Sequence, residues 1–404
     1  MLYFFMLSGD FKELLDKWVL KEKTFRRNVE DEILPFISSK NVVFLFGPRR
    51  SGKSVVARRL LEKLPKNTIK RYVNLEDPKL MNLLNTGLMD SFAEGLSAKD
   101  TIVFDEVQLI FGWEKWVRKA VDARQCQIIV TGSSSKLLSS EFATSLGGRG
   151  IGFQILPFSF SEFHRITKKG FDDYLVAGGY PEVVLNPKKK EKLLESYFEL
   201  SLIKDVITRY KVRDSAALRN FAFFLLTNSG KQISLKKIRV ALGLSYDTIR
   251  QFLEYLESAF LVFQVPFFSY SMNESLTRPR KIYAFDSGMQ QYASKSFTED
   301  KGRLAEAAIA VELKRRQYEL FYWKAIKEVD FIAKKKTKIK PINVCYSKKL
   351  PAREQESLLE FCKKTRTKKA VVLYSGKTKK AIQKNIEIKL INMQDWLFKK
   401  QEIN

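Results

Sequence analysis

The sequence predicts an α/β fold built on a mostly parallel sheet, followed by a helical region and a second, smaller α/β unit. Three observations predict it. Short apolar, β-branched runs alternate with helix-period segments over roughly the first 165 residues, and strands that alternate with helices form parallel sheets covered on both faces. One of these runs leads into a compact Gly/Ser turn that opens a helix-forming stretch. Beyond that region the pattern turns helical, and alternation resumes near Gly302. With 404 residues the chain is long enough for two or three domains, each with its own core.

Residues 1–40 read as a helical leader, with Leu14, Leu15, Trp18 and Val19 on one face. Strands are expected at NVVFLF (41–46), IKRYVNL (69–75), TIVFDE (101–106), CQIIVTG (126–132) and GFQILP (152–157), which sets a core domain at 41–165. A helical lid or linker follows at 166–215, with Gly178, Gly179 and Pro181 marking a turn near its start. Residues 216–300 hold two helices broken at Gly243-Leu244-Ser245 and then two apolar runs, the order of a winged helix-turn-helix. The last unit, 301–404, reads as a helix, strands at ELFYW, VDFIA and PINVCY, a second helix and the strand AVVLY. KKKTKIK within it reads as a solvated hairpin.

No apolar run approaches the roughly 20 residues that span a bilayer, and MLYFFML lacks the flanks of a secretory signal. A cytoplasmic protein without a membrane partner is expected. Cys126, Cys345 and Cys362 have no paired spacing, so reduced thiols are expected. The single histidine, His164, sits among hydrophobic residues, which argues against His-rich metal sites and Ser-His-Asp chemistry and leaves it a structural or surface role. Net charge is +27, and residues 331–404 carry 20 Lys/Arg against 6 Asp/Glu, about half of the excess. Such a segment suits phosphate neutralisation, and a Lys-rich proteome explains the same count.

The turn is Gly47-Pro48-Arg49-Arg50-Ser51-Gly52-Lys53-Ser54, followed by Val55, and it fits GxxxxGK[ST] between a strand and a helix. A loop of this type, the phosphate loop of P-loop NTPases, aims successive N–H groups at phosphates, and the helix N-terminus adds a favourable dipole. Lys53 is expected to bridge the β- and γ-phosphates and Ser54 to ligate Mg²⁺. Asp105 and Glu106 end an apolar strand, where open parallel sheets bind ligands. Asp105 is assigned to Mg²⁺ and Glu106 to the attacking water. Thr131 and Ser133 close the next strand and are candidates to sense the γ-phosphate. Arg149, flanked by glycines in LGGRG, is a candidate to stabilise the γ-phosphate of its own or a neighbouring subunit, which makes a homo-oligomer an expected partner.

With GPRRSGKS, RYVNLEDP, DEVQLIFGWEKWVRKAVD, VTGSSSKLL, LGGRG, VAGGYPEVV, RKIYAFDSGM and EVDFIA in this order, the chain resembles archaeal and bacterial ATPases of the AAA+ type that carry a DUF4143-like region. The resemblance spans about Arg26 to Ser347. It implies ATP as the nucleotide, and it implies that the last unit is a restriction-endonuclease-like core. Active relatives of that core gather Mg²⁺ with a helix glutamate, a strand aspartate and a Glu-x-Lys. Here Glu306 or Glu312 is the helix acid and Asp330 the strand acid, while Asn343-Val344-Cys345 stands where Glu-x-Lys is expected. An amide for a carboxylate weakens a hard cation, and cysteine for lysine removes the charge beside the nucleophile, so a core that does not cut is expected. SYDTIRQFLEYLES is too acidic for a groove-reading helix. The function expected is Mg²⁺-dependent ATP hydrolysis that moves the winged-helix and nuclease-like modules, acting on DNA. The rival is a nucleotide-sensing protein that docks on nucleic acid through its basic C-terminal domain, with incidental hydrolysis.

Overall fold

In the computed structural model the described residues are 24–39, 41–80, 82–133, 146–294 and 300–399, and the chain divides into two compact units, Met1–Leu156 and Pro157–Asn404. The leader expected at 1–40 lies outside the described residues up to position 23, and its described end is the helix Glu30–Ile37.

Unit one is built on β1 (Val42–Phe46), β2 (Lys70–Asn74), β3 (Thr101–Asp105), β4 (Gln127–Gly132) and β5 (Gly150–Gln154), all parallel, in the order β2-β3-β4-β1-β5. Every expected strand forms, with ends that shift by one to three residues. β1 and β3 are buried along their whole length because both faces are covered. Alternation along β1 divides the core. Val43 and Leu45 pack with Val56, Leu60 and Leu61 of the helix Lys53–Lys63, whereas Phe44 stacks on Trp113 of the helix Trp113–Asp122. Because the strands are parallel, the chain leaves β1, β3 and β4 at one edge of the sheet, which collects Gly47, Asp105-Glu106 and Ser133 there.

Unit two begins with the helices Phe160–Thr167, Phe171–Ala177, Pro181–Leu185 and Lys190–Leu200. His164 lies here with its Nδ1 2.8 Å from the Lys169 carbonyl and its ring against Phe398, a structural setting. Farther along come the helix Ser215–Thr227, β6 (Gln232–Ile233), the helices Leu235–Leu242 and Tyr246–Ser258, β7 (Val262–Val265), the short helix Met272–Thr277 and β8 (Arg280–Ala284). The break between the two helices occurs where expected: Gly243 takes φ +67°, and Ser245 caps the following helix. The strands form an antiparallel sheet in the order β6-β8-β7.

After the helix Ser287–Ser294, unit two continues with the helix Lys301–Arg315, then β9 (Glu319–Lys324), β10 (Glu328–Lys335), β11 (Lys338–Cys345), the helix Ala352–Thr365, β12 (Lys369–Tyr374), β13 (Lys379–Gln383), β14 (Ile386–Asn392) and the helix Met393–Phe398. Its sheet runs β13-β14-β12-β11-β10-β9. Lys335 pairs with Lys338 across a two-residue turn, with Lys336 at φ +56°, so KKKTKIK is a hairpin. Two other quoted motifs form one packing unit: the buried Asp286 carboxylate of FDSG accepts from the amides of Gly179 (2.7 Å) and Met289 (3.0 Å). Gly178 sits at φ +74°, and a Cβ there would lie 2.3 Å from Asp286 Oδ1, so AGGYP needs its glycine for this close approach.

Candidate active site

β1 delivers the chain to Gly47, whose φ is +152° and whose added Cβ would stand 2.3 Å from the Ile155 carbonyl oxygen. Only glycine leaves the strand along this path. Arg50 is exposed at φ +62°, Pro48 is buried, and Gly52 at φ +96° opens the helix Lys53–Lys63, with Val55 half-buried in its first turn. Ser51 is fully buried and its Oγ has no protein partner, which costs about 1–3 kcal/mol that an anion oxygen in the loop would remove. Lys53 is 4% exposed and bends back over the loop: Nζ donates to the carbonyls of Gly47 (3.1 Å) and Pro48 (3.0 Å) and lies 3.9 Å from Glu106 Oε1. Arg49 pairs with Glu76 of NLEDP at 3.2 Å.

The loop is braced from behind by residues that the sequence did not single out. Arg27 donates to the carbonyls of Ser51 (2.9 Å) and Leu156 (2.6 Å), tying the loop to the chain after β5. Glu30, fully buried, accepts from the Arg27 amide (2.8 Å) and pairs with Arg59 (2.7 Å) and Lys63 (2.6 Å) on the phosphate-loop helix. Burial alone would raise the Glu30 carboxyl, but Arg59, the Arg27 amide and Lys63 outweigh it and hold it below the usual glutamate value. The folded pKa is depressed, so this stability is present above the unfolded value of about 4.5 and is lost as pH falls through the folded one. Thermal melts across pH 3–6 are expected to show an acid decline in the parent that is shallower in Glu30→Gln.

Asp105 and Glu106 leave β3 at the same edge. Asp105 is buried, and each of its oxygens has a hydroxyl donor: Thr131 on Oδ1 and Tyr72 on Oδ2, with Ser54 bonded to it as well. Burial raises its pKa, and the hydroxyls from Thr131 and Tyr72 offset this only in part. Glu106 adopts φ +60°, costly for a side chain other than glycine, and its amide donates to Thr131 Oγ1 at 3.0 Å. Thr131 therefore orients both acids and spends its proton on Asp105 instead of aiming it at a phosphate. The Glu106 carboxylate accepts from Gln108. Ser133 is buried directly after β4, which lies between β1 and β3. The donor set fits a triphosphate with a hard divalent cation: an unpartnered hydroxyl and an ammonium sit in the loop, and oxygen ligands come from Ser54 and Asp105.

Arg149 is not brought to this group. Its carbonyl accepts from the Val42 amide, and Gly150 pairs with Val42, so it stands at the opposite edge of the sheet. That edge is about 16 Å along β1 from Gly47. Its guanidinium bonds Asp122 and the carbonyls of Leu146 and Gly147. The flanking glycines suggested a projecting side chain, but strand register decides where it stands. Arg149→Ala is expected to leave nucleotide affinity per chain unchanged, which a fluorescent-nucleotide titration checks.

Unit two holds a second cluster of charge. Lys281 of β8 is 2% exposed, and its Nζ lies 2.5 Å from Glu328, 3.0 Å from Glu306 and 3.9 Å from Asp330. Glu306 is thus the helix acid of the pair considered, whereas Glu312 pairs with Arg315 and Arg316. Asn343 is turned inward: Oδ1 accepts from the Asp330 amide, and Nδ2 donates to Glu354 and Ser357. The positive charge that Cys345 lacks therefore comes from β8, which corrects the expectation that this cluster has none. Desolvation works against the ammonium, but Tyr283, Glu306, Asp330 and Glu328 outweigh it and hold Lys281 well above the ordinary lysine value.

Residues 39–164 match the AAA domain family, 168–300 a domain of unknown function (DUF8612) and 301–396 a domain of unknown function (DUF4143), so the DUF4143 likeness covers the last module alone. The chain is 30% identical to the protein MJ1544 of Methanocaldococcus jannaschii over 94% of its own length and 87% of that protein's. It is 29% identical to a Haemophilus influenzae protein over 92% of this chain and 98% of that one. Among solved structures, the Walker-type ATPase PabY2304 of Pyrococcus abyssi is similar with TM-score 0.44 and 14% identity, over 68% of this chain and 99% of that one. AMPPCP-bound DnaA from Aquifex aeolicus is similar with TM-score 0.32 and 17% identity, over 60% and 92%. Among the described residues no helix is long and apolar enough to cross a membrane. Its phosphate loop, its five-stranded parallel sheet and relatives that match nearly end to end establish that the chain belongs to the archaeal and bacterial family of AAA-type phosphate-loop ATPases with a C-terminal DUF4143 domain.

Proposed function

We propose that the chain binds Mg²⁺·ATP at this edge of the sheet and hydrolyses it, and that the cycle moves the modules of unit two. The carrying observation is the meeting of Lys53 with Glu106, and of Ser54 with Asp105, beside a loop that holds an unpartnered buried hydroxyl. Ser54 Oγ and the Asp105 carboxylate would hold the Mg²⁺, which when bound neutralises charge on the β- and γ-oxygens. Lys53 exchanges the loop carbonyls for those oxygens, and backbone N–H groups of the loop between Gly47 and Val55, Pro48 excepted, cradle the phosphates. Glu106 takes a proton from the attacking water. The water oxygen bonds to the γ-phosphorus, and the bond from that phosphorus to the β–γ bridging oxygen breaks to leave ADP. Phosphate release by purified protein, with and without Mg²⁺ and duplex DNA, tests this. Mg²⁺-dependent release supports it, and no release under any condition contradicts it.

The helix-strand-helix-helix order of residues 215–258, followed by the antiparallel pair β7 and β8 with the short helix Met272–Thr277 between them, supports reading this part as a winged helix. The last module is proposed not to cut. Lys281 fills the carboxylate cluster, and Asn343 spends its amide on internal bonds, so neither supports a metal there. Plasmid nicking with Mg²⁺ or Mn²⁺ that disappears in Asp330→Ala would overturn this.

The second reading, nucleotide-dependent docking on nucleic acid, is favoured by exposed lysines and arginines that include Lys363, Arg366, Lys368, Lys379, Lys380 and Lys384. If it holds, log affinity for duplex DNA falls linearly with log salt, with a slope of about −0.9 per phosphate contacted. A flat response counts against it.

A further inference from the structure

RYVNLEDP supplies no group to the hydrolytic step, but its tyrosine touches Asp105, the carboxylate assigned to Mg²⁺. Tyr72 is 1% exposed, and its hydroxyl donates to Asp105 Oδ2. In the sheet Asn74 pairs with Asp105, so Tyr72 reaches the carboxylate diagonally, from two residues back on the same face of β2. Thr131 donates to the other oxygen, so the hydroxyls of Tyr72 and Thr131 fix the carboxylate plane, and with Ser54 they take three of its roughly four lone-pair sites. The ring is held from above by Arg58, whose guanidinium lies 4.4 Å from the ring centroid. Arg58 stands one helical turn after Ser54, and Ser54 bonds Asp105. Phosphate-loop helix, β2 and β3 are thereby closed into a ring of contacts through Ser54, Asp105, Tyr72 and Arg58.

Resting on the nucleotide reading above, we propose that Tyr72 is a positioning residue for the divalent cation: its hydroxyl sets the rotation of the Asp105 carboxylate toward Ser54 Oγ. A phenylalanine would fill the same space against Arg58, so packing alone does not require the hydroxyl. Outer partners that orient a metal-binding carboxylate are worth about 10- to 100-fold in metal affinity or activity.

The test is Tyr72→Phe, read by Mn²⁺ electron paramagnetic resonance on the nucleotide-loaded protein and by titration of a fluorescent ATP analogue without metal. Expected is Mn²⁺ affinity weaker by roughly 10-fold or more with unchanged metal-free nucleotide affinity. The Mg²⁺ needed for half-maximal hydrolysis rises by the same factor, and KM for ATP at saturating Mg²⁺ stays as in the parent. Unchanged Mn²⁺ affinity overturns the proposal. So does an equal loss of nucleotide affinity with and without metal, which marks Tyr72 as packing only. A parent that binds no nucleotide brings down the reading of the whole site, whereas a parent that binds nucleotide and Mn²⁺, matched by Tyr72→Phe, removes only the role of Tyr72.

Discussion

Glu106→Gln is expected to bind ATP at least as tightly as the parent and to release phosphate roughly 100- to 10,000-fold more slowly. The substitution conserves shape. Its amide oxygen can still accept from Gln108, and the backbone N–H to Thr131 Oγ1, which holds the φ of +60°, does not depend on the side chain. What disappears is the proton acceptor and the negative charge 3.9 Å from Lys53. Freed of that pairing, the lysine is more available to the phosphates. Single-turnover phosphate release, run beside a nucleotide titration, reads both effects. Equal rates in variant and parent would remove Glu106 from the chemistry.

Lys281→Ala is expected to destabilise unit two by about 3 kcal/mol, because three carboxylates lose their one shared ammonium and Asp330 is left buried without a counter-charge. For a unit of this size that is roughly 6–12 °C in Tm. The pH dependence has a definite sign. In the parent, Lys281 has a raised pKa, so its contribution is fully present below about 10.5 and is lost only as pH rises through the higher folded value. Asp330 is also raised, by burial and then by Glu306, and without the lysine it rises further, so the variant regains stability as pH falls toward the unfolded value near 3.8. Melts at pH 5 and pH 8 should therefore differ more in the variant than in the parent. A variant as stable as the parent at pH 8 would mean that the cluster is solvated.

Much of this was legible because it is local. The five strands, the phosphate loop, the acid pair after β3, the helix break at Gly243 and the hairpin at Lys336 follow from residue type and short spacing. Contacts made across the sheet were not legible. Tyr72 meets Asp105 from 33 residues away, and nothing in RYVNLEDP says which strand will lie beside it. Arg149 carried the local marks of a projecting side chain, but pairing of Gly150 with Val42 places it at the far edge. Lys281 stands near the wing beside Arg278 and Arg280 and reads as a cation free to track nucleic-acid backbone, whereas the fold buries it against carboxylates; the missing positive charge of the last module was sought only on β11. Parallel pairing and long-range charge placement are properties of the assembled fold, and one chain read alone does not encode the partner of a given strand in any short pattern.

The central claim is that Lys53, Ser54, Asp105 and Glu106 clasp one magnesium-bound triphosphate. Calorimetric titration of a non-hydrolysable ATP analogue with Mg²⁺ into the parent and into Lys53→Ala tests it most directly. The account predicts one nucleotide per chain in the parent and affinity at least about 10-fold weaker in Lys53→Ala, the worth of a charged hydrogen bond. Equal affinity in the two proteins, or no binding to the parent, would contradict it.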